Sequence, residues 1–462
     1  MQHTLKNIIT ISGVGIHTGV TTNITLKPAE ENTGIRFKRV DLEGNPTISA
    51  DIDNVFSTER STGLKKGMSE IHTVEHILAA IVGSQIDNIT IEVDNIEIPI
   101  LDGSSKEFTR LITDAGLETQ NAKRKFFEIK RRIHFKDEET GTIITAEPAK
   151  EYAVEVSIDY KSNTLGIQKV LMSSINEFNE HFSSSRTFCF LHELEVLLEK
   201  NLIKGGNINN AIVIVEENIS SDKLTKLKKA FNKKDIQVTK GGTLNNLTLR
   251  HDNEPARHKL LDVIGDLSLI GRPIKGKITA YKPGHKNNID FAKKLKKIMK
   301  EDISKTAPEI NFDEAPMYNK DKIKTILPHR EPFLFIDEIR ELGKDYIIGT
   351  KFVTANEDYF KGHFPGEPVM PGVLQLETMA QAGGVLILST VENPEDYLTF
   401  FMKIDNAKFK KKVVPGDIMI FRLNLISPIR RGLCHMHGKG FVDGKIVVEG
   451  DLLAQISPKN KI

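Results

Sequence analysis

The chain has 462 residues, of which 39% are hydrophobic, so it can bury the cores of two or three domains and is not expected to be disordered. Lysine and arginine number 64 against 62 acidic residues, which gives no reason to expect nucleic-acid binding. The two cysteines form no disulfide framework, the N-terminus lacks an apolar signal core, and no apolar run reaches the ~18 residues of a transmembrane helix, so we expect a cytoplasmic protein.

Residues 1–300 predict an alternation of short strands and helices. Strands are expected where β-branched residues cluster, and helices where apolar residues recur every three to four positions. The predicted strands are 24–26, 89–93, 143–146 and 153–158, and the predicted helices are 73–82 and 260–269. The basic stretch Lys123–Lys125 predicts a connector, so we divide this region into subdomains 1–125 and 126–305.

The last third of the chain predicts a separate domain. A lysine-rich amphipathic helix over 291–305 is followed by Pro308 and Pro316. Proline removes a hydrogen-bond donor and disfavours helix in the residue before it, so 306–318 predicts a linker. The domain 319–462 should contain a buried helix over 372–388 and long strands at 418–425 and 445–456.

Histidine and acidic residues in the first part suggest a metal site. His258 and Asp262 are four residues apart and share one face of a helix, so both can reach one ion, with His76 as a third ligand. Two imidazoles and a carboxylate leave a position for water, which is typical of catalytic zinc, and zinc lowers the pKa of its water to about 7. Glu75 could then take the proton from this water, and His285 could protonate a leaving amine.

Two other interpretations stay open at this point. A His-x-x-x-Asp pair on a helix is usually a surface or capping pair. His72-x-x-Glu75-His76 also fits the inverted zincin pattern, in which His72 and His76 bind the metal and Glu75 is the base of a peptidase. Spacing alone does not choose between them.

Residues 1–300 resemble the UDP-3-O-acyl-N-acetylglucosamine deacetylase family of lipid A synthesis. The matching stretches occur in order along the segment: Gly13–Gly19, Thr73–His76, Ile98–Ser104, Ser185–Phe188, Gly205–Gly206, Arg257–Asp266 and Gly284–His285. The resemblance implies an α+β fold, a β-α-α-β sandwich of two subdomains. It also implies zinc-dependent hydrolysis of the N-acetyl group of UDP-3-O-(3-hydroxyacyl)-N-acetylglucosamine, a UDP-sugar lipid precursor.

The resemblance further implies a role for each site residue. Zn²⁺ would be bound by His76, His258 and Asp262. Glu75 would be the general base and His285 the general acid, and Asp266 would orient His285 and favour its cationic form. The other implied roles are oxyanion binding by Thr187 and substrate contacts by Lys259, Phe188 and His17.

Three details of this region go with the resemblance. His72 is not a ligand in the family, and we expect it to make a helix-side hydrogen bond. The family often has glycine where this chain has Cys189, so the thiol could narrow the site; we do not expect it to be a fourth ligand. The family holds the acyl chain of its substrate with a small insert, and 201–206 falls in that position, with a plain turn as the equal alternative.

The predicted helix 372–388 is mostly apolar but carries one carboxylate, Glu377. Burying an unpaired charge is costly, so this group must pair, face a cavity or be protonated. His363 in the preceding loop can act as a base near neutral pH, and the Gly372 amide at the helix start can polarise a carbonyl. These groups suit removal of a proton next to a thioester with loss of a β-hydroxyl. A structural histidine and a hydrogen-bonded glutamate are the equal alternative.

This segment resembles the 3-hydroxyacyl-acyl-carrier-protein dehydratase family. The signatures are Leu327-Pro328-His329-Arg330 and the run Gly362–Leu374, Gly-His-Phe-Pro-Gly-Glu-Pro-Val-Met-Pro-Gly-Val-Leu. The resemblance implies a hot-dog fold, an antiparallel sheet wrapped round a central helix, that needs no cofactor. His363 would abstract the C2 proton, Glu377 would help the hydroxyl leave as water, and the Gly372 amide would hold the thioester carbonyl.

The second resemblance also implies partners. The two catalytic groups of that family meet across a dimer interface, so we expect a homo-oligomer, either a dimer or a trimer of dimers. Acyl carrier protein would deliver the substrate, and the basic run Lys408–Lys412 could attract it, although a solvated strand end explains the run equally well. Together the two resemblances predict a bifunctional fusion. A thioesterase or a non-catalytic oligomerising module is the alternative for the second part.

Overall fold

The computed structural model describes residues 1–194, 204–205, 210–217, 224–225, 227–228, 236 and 241–459. The chain divides into two compact units, Met1–Lys297 and Ile298–Ile462. Residues 306–317 form neither helix nor strand, and the domain limits given above remain predictions. Of the proposed insert 201–206, all but Lys204 and Gly205 lie outside the described residues. Within the described ranges, no helix combines the length and the apolar character needed to cross a membrane.

The N-terminal half of the first unit is built on a five-stranded sheet. Its elements are β1 (His3–Leu5), β2 (Ile9–Val14), β3 (Thr21–Pro28), β4 (Ile35–Arg39), β5 (Thr47–Ser49), β6 (Val55–Ser57), β7 (Gly63–Lys66), β8 (Ser69–Ile71), α1 (Glu75–Gly83), β9 (Ile89–Val93), α2 (Lys106–Ala115) and β10 (Leu117–Thr119). The sheet order is β2-β3-β9-β4-β5, with β4 and β9 parallel; β6-β7-β8 and β1-β10 form two smaller sheets. Alternate residues of β3 and β9 are buried, which is the period of a strand with one face on the core.

The second half of this unit repeats the arrangement. Its described elements are β11 (Phe127–Glu128), β12 (Ile133–Lys136), β13 (Ile143–Glu147), β14 (Tyr152–Asp159), β15 (Ile167–Met172), β16 (Phe188–Phe190), β17 (Ile212–Val215), β18 (Gly242–Thr243), α3 (Glu254–Ser268), β19 (Ile274–Tyr281) and α4 (His285–Lys305). The main sheet has the order β12-β13-β19-β14-β15, with β14 and β19 parallel and β11 added beside β19. Strands β16, β17 and β18 form a separate small sheet.

Helices α1 and α3 occupy equivalent places in the two halves, since each lies in the chain between the two parallel strands of its sheet. The two helices pack against each other. A Cβ atom added to Gly265 of α3 would lie 2.2 Å from the carbonyl oxygen of Glu75 on α1, so glycine permits this close approach. The predicted α+β arrangement of two subdomains is confirmed.

The helix limits differ from the predicted ones at their N-terminal ends. Helix α1 begins at Glu75 rather than at 73, because Thr73 has a left-handed backbone with φ of 61°. Helix α3 begins at Glu254, well before 260, because Pro255 sits in the first turn, where its missing N–H costs nothing. The starts of helices are therefore decided by backbone features that apolar periodicity does not report.

The second unit is a six-stranded antiparallel sheet around one long helix. Its elements are α5 (Lys320–Ile326), β20 (Glu338–Leu342), β21 (Tyr346–Phe352), α6 (Gly372–Leu388), β22 (Tyr397–Phe409), β23 (Ile418–Leu425), β24 (Leu433–Val442) and β25 (Lys445–Pro458), and the sheet order is β20-β21-β23-β24-β25-β22. Helix α6 has the predicted bounds, and Met379 on it packs into the same core as Phe421 and Leu423 of β23. The predicted hot-dog fold is confirmed.

Candidate functional sites

Three buried side chains from α1 and α3 converge inside the first unit. His76 is the second residue of α1, and His258 and Asp262 are one turn apart on α3. One ligating atom from each lies within 4.8 Å of the others. Asp262 Oδ1 is 3.4 Å from His258 Nε2 and 3.8 Å from His76 Nε2. In the described part of the chain, this is the one group of histidine, cysteine and acidic residues that could hold a metal ion.

The hydrogen bonds around this group orient it for metal binding. His258 Nδ1 donates to the Ser185 carbonyl oxygen at 3.0 Å, which leaves the Nε2 lone pair directed at Asp262. Lys259 Nζ donates to Asp262 Oδ2 at 3.0 Å, whereas Asp262 Oδ1 is buried and has no hydrogen-bond partner. A buried carboxylate oxygen without a partner is costly, and a cation between the two imidazoles would satisfy it. The residues therefore fit zinc, which catalytic sites hold with two histidines and a carboxylate.

The electrostatics of the group favour the metal-binding protonation states. Burial, together with the neighbouring His258, lowers the pKa of His76 to about 3, and burial also lowers the pKa of His258. Burial by itself would raise the pKa of Asp262, but His258 and Lys259 outweigh it and the pKa is lowered. At neutral pH the imidazoles are neutral and the carboxylate is ionised, and these are the forms that bind metals.

Glu75 and His285 face the same centre with pKa values shifted toward proton transfer. Burial raises the pKa of Glu75 to about 7. Burial opposes the charged form of His285, but the carboxylate of Asp266, which accepts from His285 Nδ1 at 3.0 Å, outweighs it and raises the pKa to about 9. Near neutral pH, the site thus holds a carboxylate that can accept a proton and an imidazolium that can donate one.

A cavity of about 530 Å³ opens over these groups, within the size range of ligand sites. The predicted site residues that line it are His17, Glu75, His76, Thr187, Phe188, His258, Lys259, Asp262 and His285. Asp266 is fully buried behind His285. Lys259 Nζ lies 5.7 Å from the centroid of the Phe188 ring, so both side chains belong to the same wall.

Cys189 also lines this cavity but does not belong to the metal-binding group. Burial, with a contribution from Glu193, raises the pKa of the thiol to about 12. A protonated thiol is a poor ligand, because the thiolate is the form that binds metals. Cys189 therefore forms part of the cavity wall.

His72 lies outside the metal-binding group. It precedes α1, and its backbone pairs with Glu97 in an isolated β-bridge. Its ring meets Phe56 edge-on at 5.2 Å between centroids, and its Nε2 is 3.7 Å from Glu70 Oε1. The expected helix-side hydrogen bond is wrong, because the helix begins only at Glu75. The geometry favours the ligand set with His258 and Asp262 over the peptidase pattern.

In the second unit, His363 is oriented by one backbone contact. Its Nδ1 donates to the Val369 carbonyl oxygen at 2.8 Å, which leaves Nε2 as an acceptor. The ring stacks on Phe364 with 4.0 Å between centroids. Gly372 is the first residue of α6, so its amide is one of the donors that the helix itself cannot satisfy.

Glu377 lies on α6 at a second cavity, of about 80 Å³. Its Oε1 accepts from Gln381 Nε2 at 2.9 Å and lies 3.6 Å from His329 Nε2. The side chain is 19% exposed, so it is half-buried in one chain. His363 is not among the described residues that line this cavity. In one copy of the chain, the cavity at Glu377 is therefore formed without His363.

Comparison with known proteins identifies both units. The model of the LpxC family, UDP-3-O-acyl N-acetylglycosamine deacetylase, matches residues 2–236 and 226–297, and that of the FabA-like domain matches 327–451. The bifunctional enzyme LpxC/FabZ of Porphyromonas gingivalis is 46% identical over 98% of each chain, and that of Bacteroides thetaiotaomicron is 46% identical over 100% of this chain and 99% of its own. The chain belongs to the bifunctional LpxC/FabZ family.

Membership of the LpxC/FabZ family confirms the predicted fusion of a hydrolase with a lyase. The UDP-3-O-acyl-N-acetylglucosamine deacetylase of Chlamydia pneumoniae is 38% identical over 297 residues. The match covers 64% of this chain and 96% of the Chlamydia protein. The cavity over His76, His258 and Asp262 lies in the LpxC-like unit. The cavity at Glu377 lies in the FabA-like unit.

Two residues that contact the proposed acid–base groups were not found from the sequence. In the LpxC-like unit, the Thr62 amide donates to Glu75 Oε2 at 3.0 Å, and its hydroxyl donates to Asp266 Oδ1 at 2.6 Å. No motif signals such a bridge. In the FabA-like unit, Gln381 donates to Glu377 from one turn along α6. The four-residue spacing on a predicted helix could have identified that second contact.

Proposed function

We propose that the first unit hydrolyses the N-acetyl group of UDP-3-O-(3-hydroxyacyl)-N-acetylglucosamine, with zinc held by His76, His258 and Asp262. The observation that carries this proposal is the convergence of these three buried side chains under a ligand-sized cavity, with Asp262 Oδ1 left without a partner. Bound zinc would lower the pKa of a water in the site and polarise the amide carbonyl.

The protein groups around the metal position and transfer the protons. Glu75 takes a proton from the attacking water as the water oxygen bonds to the carbonyl carbon. The Thr187 hydroxyl donates a hydrogen bond to the carbonyl oxygen, which gains negative charge. His285 gives its proton to the sugar nitrogen as the C–N bond breaks, so acetate leaves and a free amine remains. Asp266 holds His285 in place, and substrate lies against Lys259, Phe188 and His17.

Deacetylation is expected to have a bell-shaped pH profile, because the reaction needs Glu75 ionised and His285 protonated. With a pKa of about 7 for Glu75, the rate falls as pH drops through this value; zinc, being positive, moves that limb to lower pH. The pKa of His285 is about 9 without the metal, and the charge of zinc lowers it as well, so the rate falls as pH rises and this limb lies below 9. The measurement is kcat/KM from acid to alkaline pH, and a rate that still rises at the alkaline end would contradict the assignment of His285 as the acid.

For the second unit, we propose dehydration of 3-hydroxyacyl-acyl-carrier-protein thioesters to trans-2-enoyl thioesters without a cofactor. His363 Nε2 takes the C2 proton, while the Gly372 amide holds the thioester carbonyl. Glu377 gives a proton to the C3 hydroxyl, which leaves as water as the C2–C3 double bond forms. The Nδ1 contact of His363 with Val369 supports its role as a base, since it selects the neutral tautomer in which Nε2 carries the lone pair.

A second copy of the chain would complete this site. Strand β22 is at the edge of its sheet, pairs with β25 on one side, and exposes large apolar residues. These are Phe400, Phe401, Met402, Ile404 and Phe409, with exposures of 43, 43, 56, 42 and 50%. A long apolar edge strand is a template for pairing with another chain. We infer a dimer, or a trimer of dimers, in which His363 of one copy meets Glu377 of another.

Mixing two inactive variants tests this shared site. His363→Ala and Glu377→Gln homo-oligomers should each lose dehydration, by about 10²–10⁴-fold for an acid–base group. Hybrids formed by refolding or co-expression should recover activity, because one of the two sites in a mixed dimer keeps both intact residues. Dehydration that stays at the level of the separate variants, in oligomers shown to be mixed, would contradict a site shared between copies.

The exposed lysines 408, 410 and 412 give the second unit a basic edge, on which we place the acidic carrier protein. Each of them already has an acidic neighbour, Glu449 or Glu367. We therefore expect these lysines to speed the approach of the carrier protein by long-range attraction rather than to form tight ion pairs with it. The cytoplasmic location stays a prediction; the two cysteines are free thiols, which agrees with it.

Purified full-length protein tests both activities in one preparation. We expect about one zinc per chain, release of acetate from the acylated UDP-sugar, and formation of enoyl product from 3-hydroxyacyl carrier protein. Peptide hydrolysis without acetate release would contradict the first proposal. Release of free acid from the thioester, without enoyl product, would contradict the second and indicate a thioesterase.

A further inference from the structure

Thr62 precedes β7, is fully buried and uses all of its polar groups at the proposed deacetylase site. Its amide donates to Glu75 Oε2 at 3.0 Å, and its carbonyl oxygen accepts from the Val74 amide at 3.2 Å. Its hydroxyl donates to Asp266 Oδ1 at 2.6 Å. One residue therefore joins the start of α1, which carries the proposed base, to the last turn of α3.

The Asp266 carboxylate links Thr62 to His285, the proposed acid, because it accepts a hydrogen bond from each. Its Oδ2 accepts from His285 Nδ1 at 3.0 Å and from Asn288 Nδ2 at 2.8 Å, while Oδ1 accepts from Thr62. The Thr62 hydroxyl oxygen is itself 3.5 Å from His285 Nδ1. Because donors occupy both carboxylate oxygens, Asp266 is held in one orientation, and the imidazole that it binds is held with it.

We propose that Thr62 is a positioning residue of the deacetylase, which sets the separation of Glu75 and His285 by holding the first through its amide and the second through Asp266. This inference rests on the proposed function of the first unit. The amide contact survives any substitution that keeps the backbone, whereas the contact with Asp266 needs a hydroxyl. Thr62 is not itself among the described residues that line the cavity or form the metal-binding group. It acts on the site through Glu75 and Asp266, so its effect is on geometry rather than on direct substrate contact.

Thr62→Val tests the hydroxyl alone, because valine keeps the branched shape of threonine. We expect kcat for deacetylation to fall about 10–100-fold, the usual cost of losing such a supporting contact. KM should stay within about two-fold, since the interaction acts on the transition state rather than on substrate binding. Zinc content and dehydration by the second unit should match the parent, while the melting temperature should fall by a few degrees because the buried Asp266 Oδ1 loses its donor. Thr62→Ser, which restores the hydroxyl, should recover most of the lost kcat.

Thr22→Val is the matched control. Thr22 is also fully buried, but its hydroxyl has no hydrogen-bond partner among the described residues, so the same substitution removes no contact. Its kcat should equal that of the parent. An equal loss in both variants would overturn the proposal, because the effect would then come from packing.

Three further outcomes also decide the question. A Thr62→Val enzyme with the parent kcat, or a loss that Thr62→Ser does not restore, overturns the role of Thr62 while leaving deacetylation by the parent in place. A parent that releases no acetate overturns the proposed function, and this inference with it. If Thr62→Val does not fold, Thr62→Ala replaces it, because the smaller side chain removes the hydroxyl without adding bulk. A kcat that is low in Thr62→Ala and near the parent value in Thr62→Ser would support the proposal, and equal kcat values in the two variants would overturn it.

Discussion

Replacing Glu75 by glutamine is expected to lower kcat for deacetylation by about 10²–10⁴-fold while leaving zinc bound. Glutamine keeps an oxygen that can accept from the Thr62 amide but cannot take a proton from water. Glu75 is not one of the three grouped ligands, so the metal should remain. Metal analysis and acetate release on the same preparation measure the two effects separately.

Glu70→Gln is the matched control for this variant. Glu70 lies in β8, close to α1 in the chain, but pairs with Lys65 and does not line the cavity. It should keep both zinc and turnover, and dehydration by the second unit serves as an internal standard for both proteins. Loss of zinc from Glu75→Gln would show that Glu75 supports the metal. Turnover equal to that of the parent would show that another group is the base.

His258→Ala is expected to abolish deacetylation by removing the metal. Two ligands would remain, whereas catalytic zinc sites use three. Loss of a residue that only hydrogen-bonds to a ligand costs about 10–100-fold in zinc affinity, and loss of a ligand itself should cost more. Dehydration should be unchanged, because its proposed groups lie in the other unit, away from these ligands. Zinc content measured by metal analysis, with acetate release and enoyl formation, gives the three readouts.

The variant His72→Ala separates the proposed site from a peptidase. His72 packs against Phe56 outside the metal-binding group, so its removal should leave zinc and deacetylation at the parent level. In the inverted zincin pattern the results reverse: His72→Ala loses the metal and His258→Ala keeps it. The reversed result would refute the proposed ligand set.

Sequence patterns predict helix limits and shared helix faces correctly where all the residues that determine them lie in one segment. Helix α6 has the predicted bounds, because prolines exclude helix up to Pro371 and a mostly apolar run without proline follows. The spacing of His258 and Asp262 placed both on one helix face, as the structure shows. The start of α3 was predicted too late, since apolar periodicity is weak in its polar first turns and the signal there is Pro255.

The acid–base pair of the second unit shows a different limit. Sequence resemblance supplied His363 and Glu377, but a single chain lines the Glu377 cavity without His363. The exposed apolar edge strand β22 suggests where a second copy would bind. No pattern along one chain specifies a contact between two chains, so this part of the site depends on assembly.

The amino-acid sequence by itself determined the two-enzyme organisation, the class of each fold and the residue types that suit each chemistry, because motifs and periodicity are local properties of the chain. Only the tertiary structure decided that the His72 ring packs against Phe56, that Gly265 lets α1 and α3 approach, and that Thr62 reaches Asp266 from 204 residues away. The physical reason is that such contacts arise when helices and sheets pack. Hydrogen bonds between distant segments leave no periodic trace in either segment.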